Sequence, residues 1–259
     1  MREAARKINW IFSIQFGLDL RRLARSLKGL PHYIKGWFQF RKGYKGQLEF
    51  LPCLYDWYEE GGATKNEYFL LDLHVAQKVY SANPSMHVDI GSRIDGFVAH
   101  VASFREIEIF DIRPISSQIP GVHFRQADLM NGPSERFLSY CDSLSCLHAL
   151  EHFGLGRYGD PINPHGYTMG LENMVKILRH GGLFYLSVPI GEERVEFNAH
   201  RIFNPRSLVQ LAATNGLLLR EFAWIGASRT LIQSTRPEQD MDDLGKLRYS
   251  LGIFTFVKQ

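Results

Sequence analysis

Cysteine is scarce in this chain: 259 residues hold only Cys53, Cys141 and Cys146, and no two form a CxxC pair. The spacing that redox and metal centres use is therefore missing, and Cys141 and Cys146, in or beside an apolar run, read as buried thiols in a reducing compartment. Long hydrophobic runs are lacking too. The apolar patch from Trp10 to Phe16 is broken by Ser13 and Gln15, well short of the roughly 20 residues a membrane span requires. The opening residues lack the basic start, apolar centre and small-residue cleavage site of a secretory signal, so a cytoplasmic protein is expected. There is no internal repeat and no low-complexity tract. What remains is 45% hydrophobic and 22% charged with a net charge of +3. That suits one α/β domain with an appendage, and the charge is too mild to argue for nucleic acid by itself.

Acidic residues are also unevenly distributed. From Met1 to Lys45 only Glu3 and Asp19 oppose Arg2, Arg6, Lys7, Arg21, Arg22, Arg25, Lys28, Lys35, Arg41, Lys42 and Lys45. Ile8, Ile11, Ile14, Leu18 and Leu20 are roughly helix-spaced among many aromatics, and Pro31 and Gly36 are expected to interrupt the pattern. Residues 1–67 therefore read as a basic, aromatic-rich helical extension. Either it is a lid with a solvated basic face, or residues 1–45 contact an anionic membrane or glycolipid. The second case would place the protein at the inner face of the membrane. Nucleic acid is the least favoured partner.

Residues 68–259 read differently. Tyr68 to Tyr80 has helical periodicity and ends before Asn83-Pro84. Strands are then expected at His87–Ile90, Ile107–Asp111, Val122–Ala127, Ser143–Ala149, Leu183–Val188, Leu217–Trp224 and Ile253–Val257. Helices are expected at Ile94–Phe104, Pro133–Tyr140, Tyr167–Arg179 and Pro205–Asn215. Alternation of this kind predicts a Rossmann-like α/β fold with a seven-stranded sheet flanked by helices. Gly226 to Ser250 looks polar and irregular, so the last strand should run antiparallel to an otherwise parallel sheet.

The string Val88-Asp89-Ile90-Gly91-Ser92-Arg93-Ile94-Asp95-Gly96, with Asp111 twenty residues after Gly91, resembles the class I S-adenosylmethionine-dependent methyltransferase superfamily from about Tyr68 onward. Gly91 would let the backbone approach a ligand at the carboxyl end of the first strand, where open α/β sheets bind. The resemblance implies S-adenosylmethionine as cofactor, with Asp89 facing its amino group, Asp111 accepting its ribose hydroxyls and Asp128 meeting its adenine. The family turn is usually D-x-G-x-G-x-G. Here Arg93 and Asp95 replace two glycines, and the Arg93 guanidinium is a candidate partner for the methionine carboxylate. The absence of G-x-G-x-x-G argues against a nicotinamide enzyme.

After the fourth strand comes Leu147-His148-Ala149-Leu150-Glu151-His152, which resembles the Glu-His pair of many small-molecule methyltransferases. His148 is expected beside the cofactor. His152 is the candidate general base for an alcohol acceptor, with Glu151 orienting it or binding substrate. His200 is its rival and His165 a third candidate. Glu151, His152 and Asp160 offer metal ligands, but their spacing is not diagnostic and no metal is predicted. The polar loop Gly154–His165 would shape an acceptor pocket or be an inert excursion. Short strings also resemble a bacterial methyltransferase-like group that accompanies surface-polysaccharide synthesis, which implies a glycan or nucleotide-sugar hydroxyl as acceptor. A catalytically inactive scaffold and an RNA or protein methyltransferase remain as alternatives.

Overall fold

Parallel strands covered on both faces are buried on both sides of the pleat, and the central strands here are, with His87, Asp89, Glu108 and Asp111 standing among their apolar residues. In the computed structural model, which describes residues 11–13, 16–59, 61, 62, 64 and 66–259, β1 (His87–Ile90) and β2 (Ile107–Asp111) are buried at every position. They are joined by β3 (Val122–Gln126), β4 (Cys141–Leu147), β5 (Leu178–Ile190), β8 (Leu217–Ile225), β9 (Leu231–Gln233) and β10 (Ser250–Lys258). The sheet order is β3-β2-β1-β4-β5-β10-β8-β9. The first five of these are parallel neighbours, and β10 lies antiparallel between β5 and β8. The fold is α/β and Rossmann-like, with eight strands rather than the seven expected. The extra strand is β9, whose three residues pair with β8 at the sheet edge.

Two cores follow from the pleat. On one face Val88, Ile90, Leu144, Cys146 and Leu186 pack against α4 (Gly166–Ile177), α5 (Pro205–Thr214) and α6 (Pro237–Leu244). On the other, Ile107, Ile109, Leu251 and Ile253 meet Leu71, Val75 and Val79 of α2 (Glu67–Ala82). Each such aliphatic side chain contributes about 1.5–3 kcal/mol when fully buried. The ends of α2 follow from its sequence. Asn66 caps its start by accepting from the Tyr68 N–H, and Asn83 ends it in the left-handed region at φ 43°.

Several expected elements differ. Pro133–Tyr140 is not a helix; only Glu135–Phe137 forms a 3-10 turn. The segment is drawn instead onto the end of α4, where Ser139 and Tyr140 N–H groups donate to the carbonyls of Lys176 and Ile177. Ile94–Phe104 is broken into a π-turn, Ile94–Val98, and α3 (Ala99–Ala102). The break lies at Gly96, whose backbone (φ −129°, ψ −107°) is not helical, and a Cβ there would come within 2.3 Å of the Asp72 carboxylate. Gly226–Ser250 is not irregular throughout, since it holds β9 and α6; Pro237 occupies the first turn of that helix. A hairpin of β6 (Arg194–Glu196) and β7 (His200–Ile202), unforeseen in the sequence, docks on the end of β5 through Gly191 and Phe203.

The chain divides into two compact units, Met1–Ala63 and Thr64–Gln259, so the boundary falls four residues before the one expected. In the first unit α1 (Leu20–Gly43) runs through Pro31 and Gly36, which were expected to interrupt it. Arg2, Arg6, Lys7, Ile8, Trp10 and Ile14 lie outside the described residues. Among the described residues no helix is long and apolar enough to cross a membrane.

Candidate functional site

The carboxyl ends of β1, β2 and β4 bring the expected site residues to one edge of the sheet. After Ile90 the backbone enters the left-handed region at Gly91, φ 70°, and a Cβ there would lie 3.0 Å from that of Ala149. Glycine is required for both reasons. Asp89, just before it, has no solvent exposure. Its carboxylate accepts from the Ser92 N–H at 2.9 Å, the Ser92 hydroxyl at 2.6 Å and the Ser145 hydroxyl at 2.5 Å. Ser92 in turn accepts from the Leu147 N–H, and the buried His87 reaches Ser143 and Ser145. Burial pushes Asp89 up to about 6 against the pull of its Ser145 and Ser92 hydrogen bonds. Asp89 thus ties the turn to β4 from inside, with both oxygens engaged there.

Arg93 pairs through two nitrogens with Asp95, at 3.1 and 2.7 Å, and its guanidinium stands 5.1 Å from the Tyr68 ring. The two residues that break the glycine pattern therefore satisfy one another. Asp111 ends β2 with its carboxylate held by Arg113, through the backbone N–H at 2.8 Å and the guanidinium at 3.0 and 2.6 Å. Asp128 folds back on its own turn, accepting from the Met130 N–H and the Asn131 amide at 2.9 Å each.

Beyond β4 the chain makes a 3-10 turn, Leu150–His152, that gathers the acid–base residues. His148 Nδ1 lies 3.0 Å from Glu151 Oε1 and must donate to it, since an ionised carboxylate only accepts. His152 Nδ1 lies 2.8 Å from the Ala199 carbonyl, which likewise assigns its proton and leaves Nε2 as the basic nitrogen. That Nε2 is 3.8 Å from Glu151 Oε1. Glu151 is fully buried, and its Oε2 has no hydrogen-bond partner among the described residues; nor has His148 Nε2. For Glu151 burial works upward, but the His148 hydrogen bond, joined by the charge of His152 where acid protonates it, holds the carboxyl below its ordinary value. Burial lowers His152, outweighing the opposing pull of Glu151, so its ring is neutral at pH 7.

Glu67, Tyr68, Tyr249 and Arg113 were not foreseen, and Tyr158 was expected only as part of the loop that would shape an acceptor pocket. Glu67 Oε1 faces His148 Nε2 at 4.0 Å and accepts from the Tyr249 hydroxyl at 2.7 Å. Tyr68 packs on the His148 ring at 4.4 Å. Tyr158 lies 4.5 Å from the Arg113 guanidinium and edge-on to His152 at 5.4 Å, so the 154–165 loop links the ends of β2 and β4. A signal for Glu67 was present, an acidic residue after Asn at a helix start, but the expected domain boundary set it aside.

His200 stands on β7 with its Nε2 3.6 Å from Glu196, and burial lowers it too. Its neighbour Ala199 supplies the carbonyl that His152 and Arg157 both use. Arg201 is buried and donates to the backbone carbonyls of Glu151, Phe153 and Pro164. Asp160 accepts from the N–H groups of Gly154, Gly156 and Tyr158, so it organises its loop, and the exposed His165 stands at the N-cap position of α4 without a side-chain capping bond. Among the described residues no cluster of three or more His, Cys, Asp or Glu is placed to hold a metal ion.

A family model described as a Caenorhabditis protein of unknown function, DUF268, matches residues 123–247, the span from β3 to beyond α6. No curated protein matches the chain. Among solved structures, Burkholderia thailandensis 1,6-didemethyltoxoflavin-N1-methyltransferase is 14% identical, with 79% of this chain and 81% of that one covered and a TM-score of 0.49. The N-methyltransferase NodS from Bradyrhizobium japonicum is 13% identical over 78% of this chain and 91% of its own, with a TM-score of 0.48. A putative sarcosine dimethylglycine methyltransferase from Galdieria sulphuraria is also 13% identical, over 73% and 85%, with a TM-score of 0.49.

Proposed function

We propose that the chain is an S-adenosylmethionine-dependent methyltransferase acting on a hydroxyl group of a small molecule or glycan. The observation that carries this reading is Glu151: a fully buried carboxylate with one oxygen on His148 and the other unpartnered, at the sheet edge where open α/β folds bind ligands. An orphaned buried oxygen costs about 1–3 kcal/mol, and a ligand donor would relieve it. The residues present fit the cofactor. Gly91 gives close backbone approach, Asp111 would accept the ribose hydroxyls once Arg113 moves aside, and Glu67 with Glu151 offers negative charge to a cationic ligand. The cofactor would supply a methyl group activated by positively charged sulfur.

His152 would then take the acceptor proton at Nε2, held by the Ala199 carbonyl in the right tautomer, and Glu151 would stabilise the imidazolium that forms. Because burial lowers His152 from 6.5, the acid limb of kcat/KM should fall below that value rather than at it. Transfer of labelled methyl to a panel of small-molecule and sugar hydroxyls tests this. His152→Gln should cut kcat about 100-fold or more with little change in cofactor affinity. Full activity in that variant contradicts the assignment.

One observation favours a second reading. Asp111 is engaged by Arg113 and Arg93 by Asp95, so a scaffold that binds no cofactor would need no rearrangement. Such a protein, folded, would bind neither S-adenosylmethionine nor its demethylated product.

A further inference from the structure

The face of α1 left uncovered by its own unit combines an apolar stripe with a line of positive charge. Gly29 is buried so closely against the returning chain that a Cβ would lie 2.0 Å from the Leu54 carbonyl oxygen. On that side Tyr33 and Trp37 pack on Phe50 at 5.0 and 5.4 Å, and the Tyr33 hydroxyl accepts from the Leu51 N–H. Around the helix, Leu20, Leu23, Leu27, Ile34 and Phe38 recur at spacings of three, four and seven and form one stripe. All five are exposed; Leu27 and Phe38 reach 63% and 64%. Beside this stripe run Arg21, Lys28, Lys35 and Lys42, seven residues apart and all exposed. No acidic residue occurs between Leu20 and Gly43.

We propose that this face docks on the surface of a bilayer carrying anionic headgroups, with the stripe in the interface and the basic line against the phosphates. Charge complementarity selects this occupant. A second copy of α1 laid on the first would oppose two lines of like charge, whereas an anionic leaflet attracts the whole line. A nucleic acid would use the charge but leave the apolar stripe without a partner. The helix lies on the membrane and does not cross it. The inference is independent of the methyl-transfer reading.

Co-sedimentation of the full chain with phosphatidylcholine–phosphatidylglycerol vesicles, and separately with phosphatidylcholine vesicles, tests it. The chain should bind the first far more tightly than the second. Lys28→Gln with Lys35→Gln should lower partitioning roughly thirty-fold, and Leu27→Asp with Phe38→Ser should abolish it, while circular dichroism stays unchanged because all four positions are exposed. Equal binding to both vesicles, or binding to neither, overturns the proposal. So does loss in the charge variant with full binding in the apolar one, which is the behaviour of a polyanion site. Light scattering that shows a dimer dissolved by Leu27→Asp overturns it too, and makes the stripe an interface between copies.

Discussion

His87 and Asp89 share the Ser145 hydroxyl in the middle of the sheet, yet they respond to acid in opposite senses. Burial lowers His87 from 6.5 to about 3. Between those values the unfolded chain binds the proton more readily, so His87 makes stability fall as pH falls. Burial raises Asp89 from 3.8 to about 6; in that window the folded chain binds the proton, and acidification stabilises. The two oppose each other between about pH 6 and 4. Asp89→Asn removes one side of the balance. Its unfolding midpoint should therefore drop more steeply than that of the unmodified chain as pH falls through this range. Parallel curves in thermal melts would show that the Asp89 proton is not coupled to folding. An acidic residue before a glycine turn reads in sequence as a ligand contact; the structure adds that Asp89, buried between Ser92 and Ser145, anchors that turn from inside.

The loop from Gly154 to His165 is organised by one carboxylate. Asp160 accepts three backbone N–H groups, and Asn163 closes the loop with an N–H to the Gly154 carbonyl. Asp160→Ala should cost about 1–3 kcal/mol of stability and raise hydrogen exchange in residues 154–165 while leaving the central strands protected. Unchanged exchange in the loop would mean that Asp160 does not hold it. In sequence this loop was legible as long and polar, but its closure was not, because three hydrogen bonds to one side chain leave no periodic trace. The same limit applies elsewhere. The central strands were legible because short segments rich in aliphatic residues alternate with helix-spaced ones, even though polar residues such as Asp89, Glu108 and Ser145 stand among them. Pro133–Tyr140 misled, since its helix-compatible residues are captured by carbonyls at the end of α4. The charged helix α6 and the short hairpin β6–β7 were missed because little apolar patterning marks either; only Met241 and Leu244 of α6 are buried.

At the scale of the whole molecule, the unit Thr64–Gln259 places Gly91, Asp111, His148, Glu151 and His152 at one edge of one sheet. Residue types and strand order sufficed to collect these five. Glu67 and Tyr68 escaped because they reach the site from α2, and long-range approach leaves no mark in local spacing; Arg113 lies only two residues beyond Asp111, but no motif marked it, and Tyr158 was legible only as part of the polar loop. The proposed methyl transfer requires this edge to bind the cofactor, and Asp111 is the residue proposed to accept its ribose hydroxyls. Titration calorimetry with S-adenosylhomocysteine measures it directly. The unmodified chain should bind with one site, and Asp111→Ala, still folded, should lose roughly tenfold to a hundredfold in affinity. Equal affinity in the two proteins, or no heat of binding in either, would contradict the account.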